Sequence, residues 1–139
     1  MATFRAANMQ QWSDRAKRNV RAIVLQSIQD VSERAQLPVA QGGRMPVGKT
    51  GFLRNSYQAG IKGSTSLTGP TAYIAALAGF EVGQTFQAGW KAPYARRIER
   101  GFVGPDSLGR VYNQPGRFFM ESALMDWQAI NDANAARLR

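Results

Sequence analysis

An apolar stripe with the period of a helix runs through the first quarter of the chain and constrains any fold the chain can adopt. The stripe consists of Trp12, Ala16, Val20, Ile23, Val24, Ser27, Ile28, Val31 and Ala35. Steps of three and four residues place these side chains on one helical face, which something else must cover. Pro38 ends the pattern, because the residue before a proline resists helical geometry. We predict a long helix within residues 1–37, starting near Thr3, Asn8 or Ser13. Its stripe packs in the core or, in part, against a neighbouring subunit.

The composition indicates one folded domain with a strongly basic surface. The chain has 139 residues, 44% of them hydrophobic, which fits a single globular unit. Lys and Arg number 18 against 9 Asp and Glu, a formal net charge of +9. Arginine supplies most of this excess, and its planar fork pairs with carboxylates and phosphates alike. Acidic protein surfaces and nucleic acid are therefore both candidate partners.

The residues that are missing exclude many kinds of chemistry. The sequence has neither cysteine nor histidine, so disulfides, thiolate nucleophiles, zinc–thiolate sites and histidine bases are all ruled out. The acidic residues are scattered singly, which does not favour a carboxylate metal cluster. We therefore expect no catalytic residues, no metal and no cofactor, and predict that the chain is not an enzyme. No apolar run reaches the length of a membrane span and no signal-peptide core is present, so a cytoplasm is the expected compartment.

Residues 38–51 form a Gly- and Pro-rich connector that contains a formal phosphate-loop pattern. Gly43, Gly48, Lys49 and Thr50 match G-x-x-x-x-G-K-[ST]. That loop needs a buried strand before it and a helix directly after it, so that backbone N–H groups converge on the phosphates. Here no apolar run precedes the pattern, Gly51 disfavours a helix start, and Pro46 lacks an N–H. We interpret the match as coincidence.

The middle of the chain, residues 52–117, predicts a small sheet with a short helix and a long loop. Phe52 to Tyr57 suits a helical turn that leads into a strand through Ala59 and Ile61. Residues 71–78 favour a central strand, with a short helix as the alternative. Alternation from Glu81 to Trp90 favours a half-buried strand. Residues 118–136 then carry Phe119, Ala123, Leu124, Trp127 and Ile130 on one helical face. These segments predict an α+β domain, in which the two terminal helices pack on a mainly antiparallel sheet of three or four strands.

Residues 91–120 combine a short helix with a loop rich in turn residues. Pro93 suits a helix start, and Ala95, Ile98 and Phe102 recur at helical spacing. Glu99 and the arginines between them are expected to point to solvent or to a partner. Residues 102–114 predict a long surface loop, and such loops commonly serve a partner. The candidate interface residues of this region are Arg96, Arg97, Arg100, Phe102, Leu108, Arg110, Tyr112 and Arg117.

Three separated blocks resemble the head–tail joining family of long-tailed bacteriophages, which includes the tail-completion minor tail proteins of lambda-like phages. They are residues 46–56 (PVGKTGFLRNS), 94–101 (YARRIERG) and 116–120 (GRFFM). Family members similarly show P-x-x-T-G-x-L-x-x-S, then Y-A-x-x-(I/V)-E-x-G, then P-(R/G)-x-F before a C-terminal helix. This chain departs from the family at Arg100, where an aromatic residue is frequent, and in the length of the loop that follows.

The resemblance implies a structural virion protein that joins the finished tail to the filled head at the neck, without catalysis. It implies assembly in the host bacterial cytoplasm, a homo-oligomeric ring of six or twelve copies, and contacts with connector or portal-side proteins and tail-terminator proteins. Non-specific contact with packaged DNA is compatible with this role, and no membrane partner is expected. The alternative is a basic nucleic-acid-binding module, in which arginines neutralise phosphates while aromatic rings between them stack on bases.

Overall fold

Helix α1 spans Ala6–Ala35 in the computed structural model, which describes residues 6–48, 50–105 and 107–138. The predicted helix is confirmed over this range, and a start at Thr3 lies outside the described residues. The C-terminal half of the stripe is core, since Ile28 and Ala35 are buried. The N-terminal half is uncovered, because Trp12 is 72% exposed and Val20 is 46% exposed. The expected core stripe therefore packs within this chain over only part of its length.

The central sheet has three antiparallel strands in the order β2-β1-β3. A single helical turn, α2 (Phe52–Asn55), leads into β1 (Tyr57–Ile61), as predicted. β2 (Leu67–Thr68) is short, and β3 (Phe86–Trp90) confirms the C-terminal half of the strand predicted from Glu81. β1 and β3 pair in the register Tyr57↔Trp90, Ala59↔Ala88 and Ile61↔Phe86. β3 is therefore an edge strand of this sheet.

The central strand predicted for residues 71–78 is wrong, because this segment forms helix α3 (Ala72–Ala78). Ala72, Tyr73, Ala76 and Leu77 are its buried residues. Their spacing is that of one helical face, and alanine has the highest intrinsic helix propensity. The alternative left open by the sequence, a short helix, is the correct one. α3 packs on β1 and contributes to the main core.

The long loop predicted for residues 102–114 is also wrong, because most of it is a β-hairpin. Helix α4 (Ala95–Arg100) runs directly into β4 (Gly101–Pro105), which pairs with β5 (Val111–Pro115). The register is antiparallel, with Phe102 opposite Gln114 and Gly104 opposite Tyr112. These two strands form a sheet separate from the central one. We call residues 101–115 the hairpin.

The C-terminal helix is divided at Asp126 into α5 (Phe119–Met125) and α6 (Trp127–Arg137). Both segments pack on α1. The side chain of Asn134 donates to the hydroxyl of Ser27 and to the carboxylate of Asp30, at 3.1 Å in both cases. Arg34 forms an ion pair of 2.7 Å with Asp126. α6 therefore lies antiparallel to α1, and both terminal helices belong to one layer.

Two buried clusters are joined by one tryptophan. The main core lies between α1, α3 and β1, and a smaller cluster contains Met45, Leu53, Ala92 and Phe119. The ring of Trp90 packs edge-on against Tyr57 of the first cluster and Phe119 of the second, with centroids 5.3 and 4.9 Å apart. The α+β class predicted from the sequence is confirmed. None of the helices within the described ranges has the length and apolar character needed to cross a membrane.

Candidate functional site

The junction between α4, the hairpin and α5 is organised by a buried carboxylate. Glu99 is 7% exposed, and its two oxygens accept the backbone N–H groups of Met120 at 2.9 Å and of Glu121 at 3.4 Å. The first N–H groups of a helix have no partner within that helix, so a carboxylate placed there satisfies them and complements the helix dipole. The expectation that Glu99 points to solvent or to a partner is wrong. It caps α5 instead.

Backbone contacts close the same junction without help from side chains. The N–H of Arg117 donates to the carbonyl of Ile98 at 2.8 Å, and the N–H of Phe118 donates to the carbonyl of Glu99 at 3.0 Å. At Gly116 an added Cβ would lie 2.7 Å from the Glu99 carbonyl oxygen, and no side chain fits there. The backbone therefore leaves α4, forms the hairpin and returns to the end of α4. We call this junction, in which Arg117 and Phe118 bind the carbonyls of Ile98 and Glu99, the frame.

The hairpin presents two chemically different faces. One face carries Phe102 and Tyr112, whose ring centroids are 6.1 Å apart, and the guanidinium of Arg97 lies 4.1 Å above the Phe102 ring. Because side chains alternate along a strand, Val103, Pro105 and Val111 lie on the other face, together with Asn113, which pairs with Val103. Val103 is 76% exposed and Val111 is 78% exposed. We call this second side the outer face of the hairpin.

The structure brings most of the predicted interface residues together around the hairpin. Arg97, Phe102 and Tyr112 form one contact group at its base, and Arg117 follows its second strand. Arg96 and Arg100 are exposed on the six-residue α4, and Leu108 and Arg110 lie in the connection between the strands. Within the described part of the chain, no carboxylate lies within ion-pairing distance of Arg96, Arg97, Arg100 or Arg117. These arginines are therefore presented to the outside.

Sequence patterns gave no indication of a large apolar groove beside β3. Its volume is about 620 Å³, and most of its lining comes from α1, β3, α5 and α6. We call it the β3 groove, and its lining includes Val24, Ile28, Val31, Phe86, Ala88, Trp90, Leu124 and Trp127. None of the described side chains that line it carries a charge. The apolar periodicity of α1 and the alternation in β3 were visible in the sequence, but which strand edge stays uncovered depends on the assembled sheet.

The two described residues whose pKa values are clearly shifted are tyrosines of the core. Burial raises the pKa of Tyr73 to about 12, and its hydroxyl donates to the Glu33 carboxylate at 3.1 Å. Burial also raises the pKa of Tyr57, whose hydroxyl lies 3.1 Å from that of Ser32. Both tyrosines belong to the core between α1 and α3. Among the described residues no group of three or more acidic side chains could hold a metal ion.

The phosphate-loop pattern also lacks its structural context. Gly43 follows a short 3-10 turn (Val39–Gln41), and Met45 forms an isolated bridge with Pro38. The helix after the pattern, α2, has four residues, and Lys49 lies outside the described residues. A strand-to-helix transition that would aim several N–H groups at a phosphate is not found in the described part of this segment.

No family model, curated protein or solved structure matches this chain.

Proposed function

We propose that this chain is a structural virion protein of a tailed phage that acts in head–tail joining or tail completion at the neck. It works by ring assembly and protein–protein contacts, with connector or portal-side proteins and tail-terminator proteins as partners. In this proposal it carries out no catalysis. It is assembled in the bacterial cytoplasm and ends in the neck of the particle.

The observation that carries the proposal is that the three sequence blocks of the resemblance meet at one place. The first block contributes Leu53 to the smaller core cluster, and the third contributes Phe119. Ile98 of the second block packs against the same cluster. Glu99 of the second block then caps the helix that the third block begins. Blocks that lie far apart in the sequence thus build a single frame, and that frame holds the hairpin.

The surface held by this frame suits binding better than chemistry. It combines exposed arginines that have no carboxylate partner in the described chain with a hairpin whose outer face is uncharged and exposes the side chains of Val103 and Val111. Arginine and exposed apolar side chains are typical of protein interfaces. A rigid frame also lowers the entropic cost of presenting such a surface to a partner.

The test is removal of the gene from the phage or prophage that encodes it. We expect DNA-filled heads and complete but unattached tails in electron micrographs of the lysate, with joining restored when the intact protein is supplied from a plasmid. Normal virions without the protein would overturn the proposal, and so would empty heads, which would place its action in DNA packaging.

The stack of Arg97 on Phe102 favours one alternative, contact with DNA phosphates. Exposed arginines beside aromatic rings are the side chains that bind single-stranded nucleic acid. However, Phe102 is half-buried and its ring is already covered by Arg97. A base would have to displace the guanidinium before it could stack there. We therefore expect any DNA binding to be electrostatic and independent of sequence.

A further inference from the structure

The β3 groove and the outer face of the hairpin are both uncovered in this chain, and both are uncharged. We propose that the hairpin of one copy docks in the β3 groove of a second copy, where one of its strands pairs with the open edge of β3. The contact is heterologous, because one copy contributes the hairpin and the next contributes the groove. It supplies the subunit contact needed by the ring proposed above and rests on that proposed function only for its biological role.

The first argument is the direction of the backbone groups in β3. The N–H of Lys91 donates to the carbonyl of Ser56 at 3.0 Å, and the N–H of Lys62 donates to the carbonyl of Thr85 at 3.2 Å. In an antiparallel ladder, hydrogen-bonded pairs alternate with non-hydrogen-bonded ones. The register from Thr85 to Lys91 therefore turns the backbone groups of the odd-numbered residues toward β1. Those of Phe86, Ala88 and Trp90 point to the open edge.

The second argument is that the same three residues line the β3 groove. A strand added to this edge would pair with Phe86, Ala88 and Trp90. The side chains of its paired residues would enter the groove, because paired residues of adjacent strands share a face. The groove needs apolar side chains without charge, since its described lining has none. A volume of about 620 Å³ corresponds to roughly 20 water molecules, which is more than a packing defect.

The third argument identifies the hairpin as the occupant. Its strands, GFVGP and VYNQP, carry no charged residue, although the chain as a whole has a net charge of +9. Its outer face presents Val103 and Val111, both more than three-quarters exposed. The exposed N-terminal half of α1 is the other apolar candidate, but Arg15, Lys17 and Arg18 lie along it. An uncharged groove favours the uncharged strands.

The size of the contact predicts weak binding by a single pair of copies. A standard protein interface uses about 20–30 residues on each side, and the hairpin provides fewer. Ring closure makes each copy both donor and acceptor, so many weak contacts together stabilise the assembly. A covalent trap is therefore the appropriate measurement, and the absence of native cysteine makes it specific.

The experiment mixes two purified single-cysteine variants at high concentration under mild oxidation. Ala88→Cys marks the groove, and Val103→Cys or Val111→Cys marks the hairpin. Directly paired strand residues have Cα atoms about 5.5 Å apart, within the range of a disulfide. We expect a disulfide-linked dimer of Ala88→Cys with at least one hairpin variant, at a yield several-fold above that of any variant alone. Ile74→Cys replaces Ala88→Cys in the control, because Ile74 is 54% exposed on α3.

The possible outcomes separate this contact from the proposed function. Equal cross-linking of the hairpin to Ile74→Cys and Ala88→Cys would overturn the contact, and so would no cross-linking at all. If the chain nevertheless forms rings with phage components, head–tail joining would stand and another contact would hold the ring. A co-purifying apolar small molecule found by native mass spectrometry, together with no cross-link, would assign the groove to a ligand and also overturn the proposal.

Discussion

The carboxylate of Glu99 accepts the backbone N–H of Met120 at 2.9 Å, so a residue of α4 caps α5 from the far side of the hairpin. The hydrogen bond joins two helices that are separated in sequence by both hairpin strands. Any change in the hairpin that displaces α4 therefore also uncaps α5, and α5 carries Phe119 into the smaller core cluster. The side chain of Glu99 therefore couples the position of the hairpin to the packing of the smaller core cluster.

The first prediction concerns this cap. Glu99→Ala should lower the free energy of unfolding by about 2 kcal/mol, because a helix cap is lost and two partly buried N–H groups lose their acceptor. Glu99→Gln should lose about half as much, since one amide oxygen can still accept. Urea denaturation measures both effects. Glu121→Ala is the control, because Glu121 is exposed in the same helical turn, and equal losses at the two positions would refute the cap.

The second prediction concerns the tryptophan between the two clusters. The indole Nε1 of Trp90 is buried and has no hydrogen-bond acceptor among the described residues. Trp90→Phe keeps an aromatic ring and removes this unsatisfied donor, so its cost should stay below about 1.5 kcal/mol. Trp90→Ala loses contacts with both clusters and should cost about 3–5 kcal/mol.

Thermal and urea unfolding of the two Trp90 variants give the comparison, with Trp12→Ala as the exposed control. Because Trp12 is 72% exposed, its replacement should change stability by less than about 0.5 kcal/mol. A Trp90→Phe variant as unstable as Trp90→Ala would mean that the indole N–H has an acceptor after all.

The third prediction is a loss of stability at alkaline pH. The pKa of Tyr73 is raised from 10 to about 12 in the folded protein, mainly by burial and then by Glu33. Between these two values the folded protein keeps a proton that the unfolded chain releases. The contribution of Tyr73 to the free energy of unfolding is therefore complete below about pH 10 and is lost as pH rises toward 12. Tyr73→Phe should reduce the slope by up to about 1.4 kcal/mol per pH unit.

The measurement is urea denaturation from pH 9 to 12, and the control is Tyr94→Phe at an exposed position. Tyr73→Phe also loses the hydrogen bond to Glu33, which should cost about 1 kcal/mol at neutral pH. The two effects can be separated. Loss of the titrating hydroxyl changes the slope of the free energy of unfolding against pH, whereas loss of the hydrogen bond lowers that free energy at pH 7. An unchanged alkaline slope in Tyr73→Phe would contradict the assignment.

The sequence predicted the elements whose periodicity is local. The helix ending at Ala35 and the strand ending at Trp90 follow from spacing alone. The hairpin could not be predicted in this way, because Gly104, Pro105 and Pro115 have low strand propensity. Its two strands depend on pairing with each other, which single-strand patterns do not encode. They also depend on the frame around Gly116 that fixes where they begin and end.

The sequence predicted which residues belong to the candidate site, but it did not predict how these residues are arranged. The arginines of α4 are exposed as the sequence suggested, whereas Glu99 lies between them and is buried. A carboxylate is buried when a helix start lies beside it, and the position of α5 relative to α4 is a tertiary property. The β3 groove escaped prediction for a similar reason, since its opening is set by the order of strands in the sheet.

The final prediction separates a protein partner from nucleic acid. Arg96, Arg97 and Arg100 should be changed together to Gln, which removes three charges from α4 beside the hairpin. The matched control changes Arg15, Lys17 and Arg18 on the exposed part of α1 and removes the same charge. Loss of the Arg97 stack on Phe102 should cost at most about 1 kcal/mol, so the variant should remain folded by circular dichroism.

If DNA is the partner, the affinity of the unmodified protein falls steeply with salt, with a log–log slope of about −0.9 for each neutralised phosphate. The variant in which the three α4 arginines are changed to Gln, called here the α4 variant, should then flatten that slope by up to about three units. If acidic protein groups are the partner, DNA binding is weak and both variants reduce it equally. Only the α4 variant then blocks joining, because partner carboxylates lose their charge-assisted hydrogen bonds. DNA-filled heads and complete unattached tails from the α4 variant would support a role of these arginines in head–tail joining. Normal joining combined with lost DNA affinity would instead assign these arginines to nucleic acid.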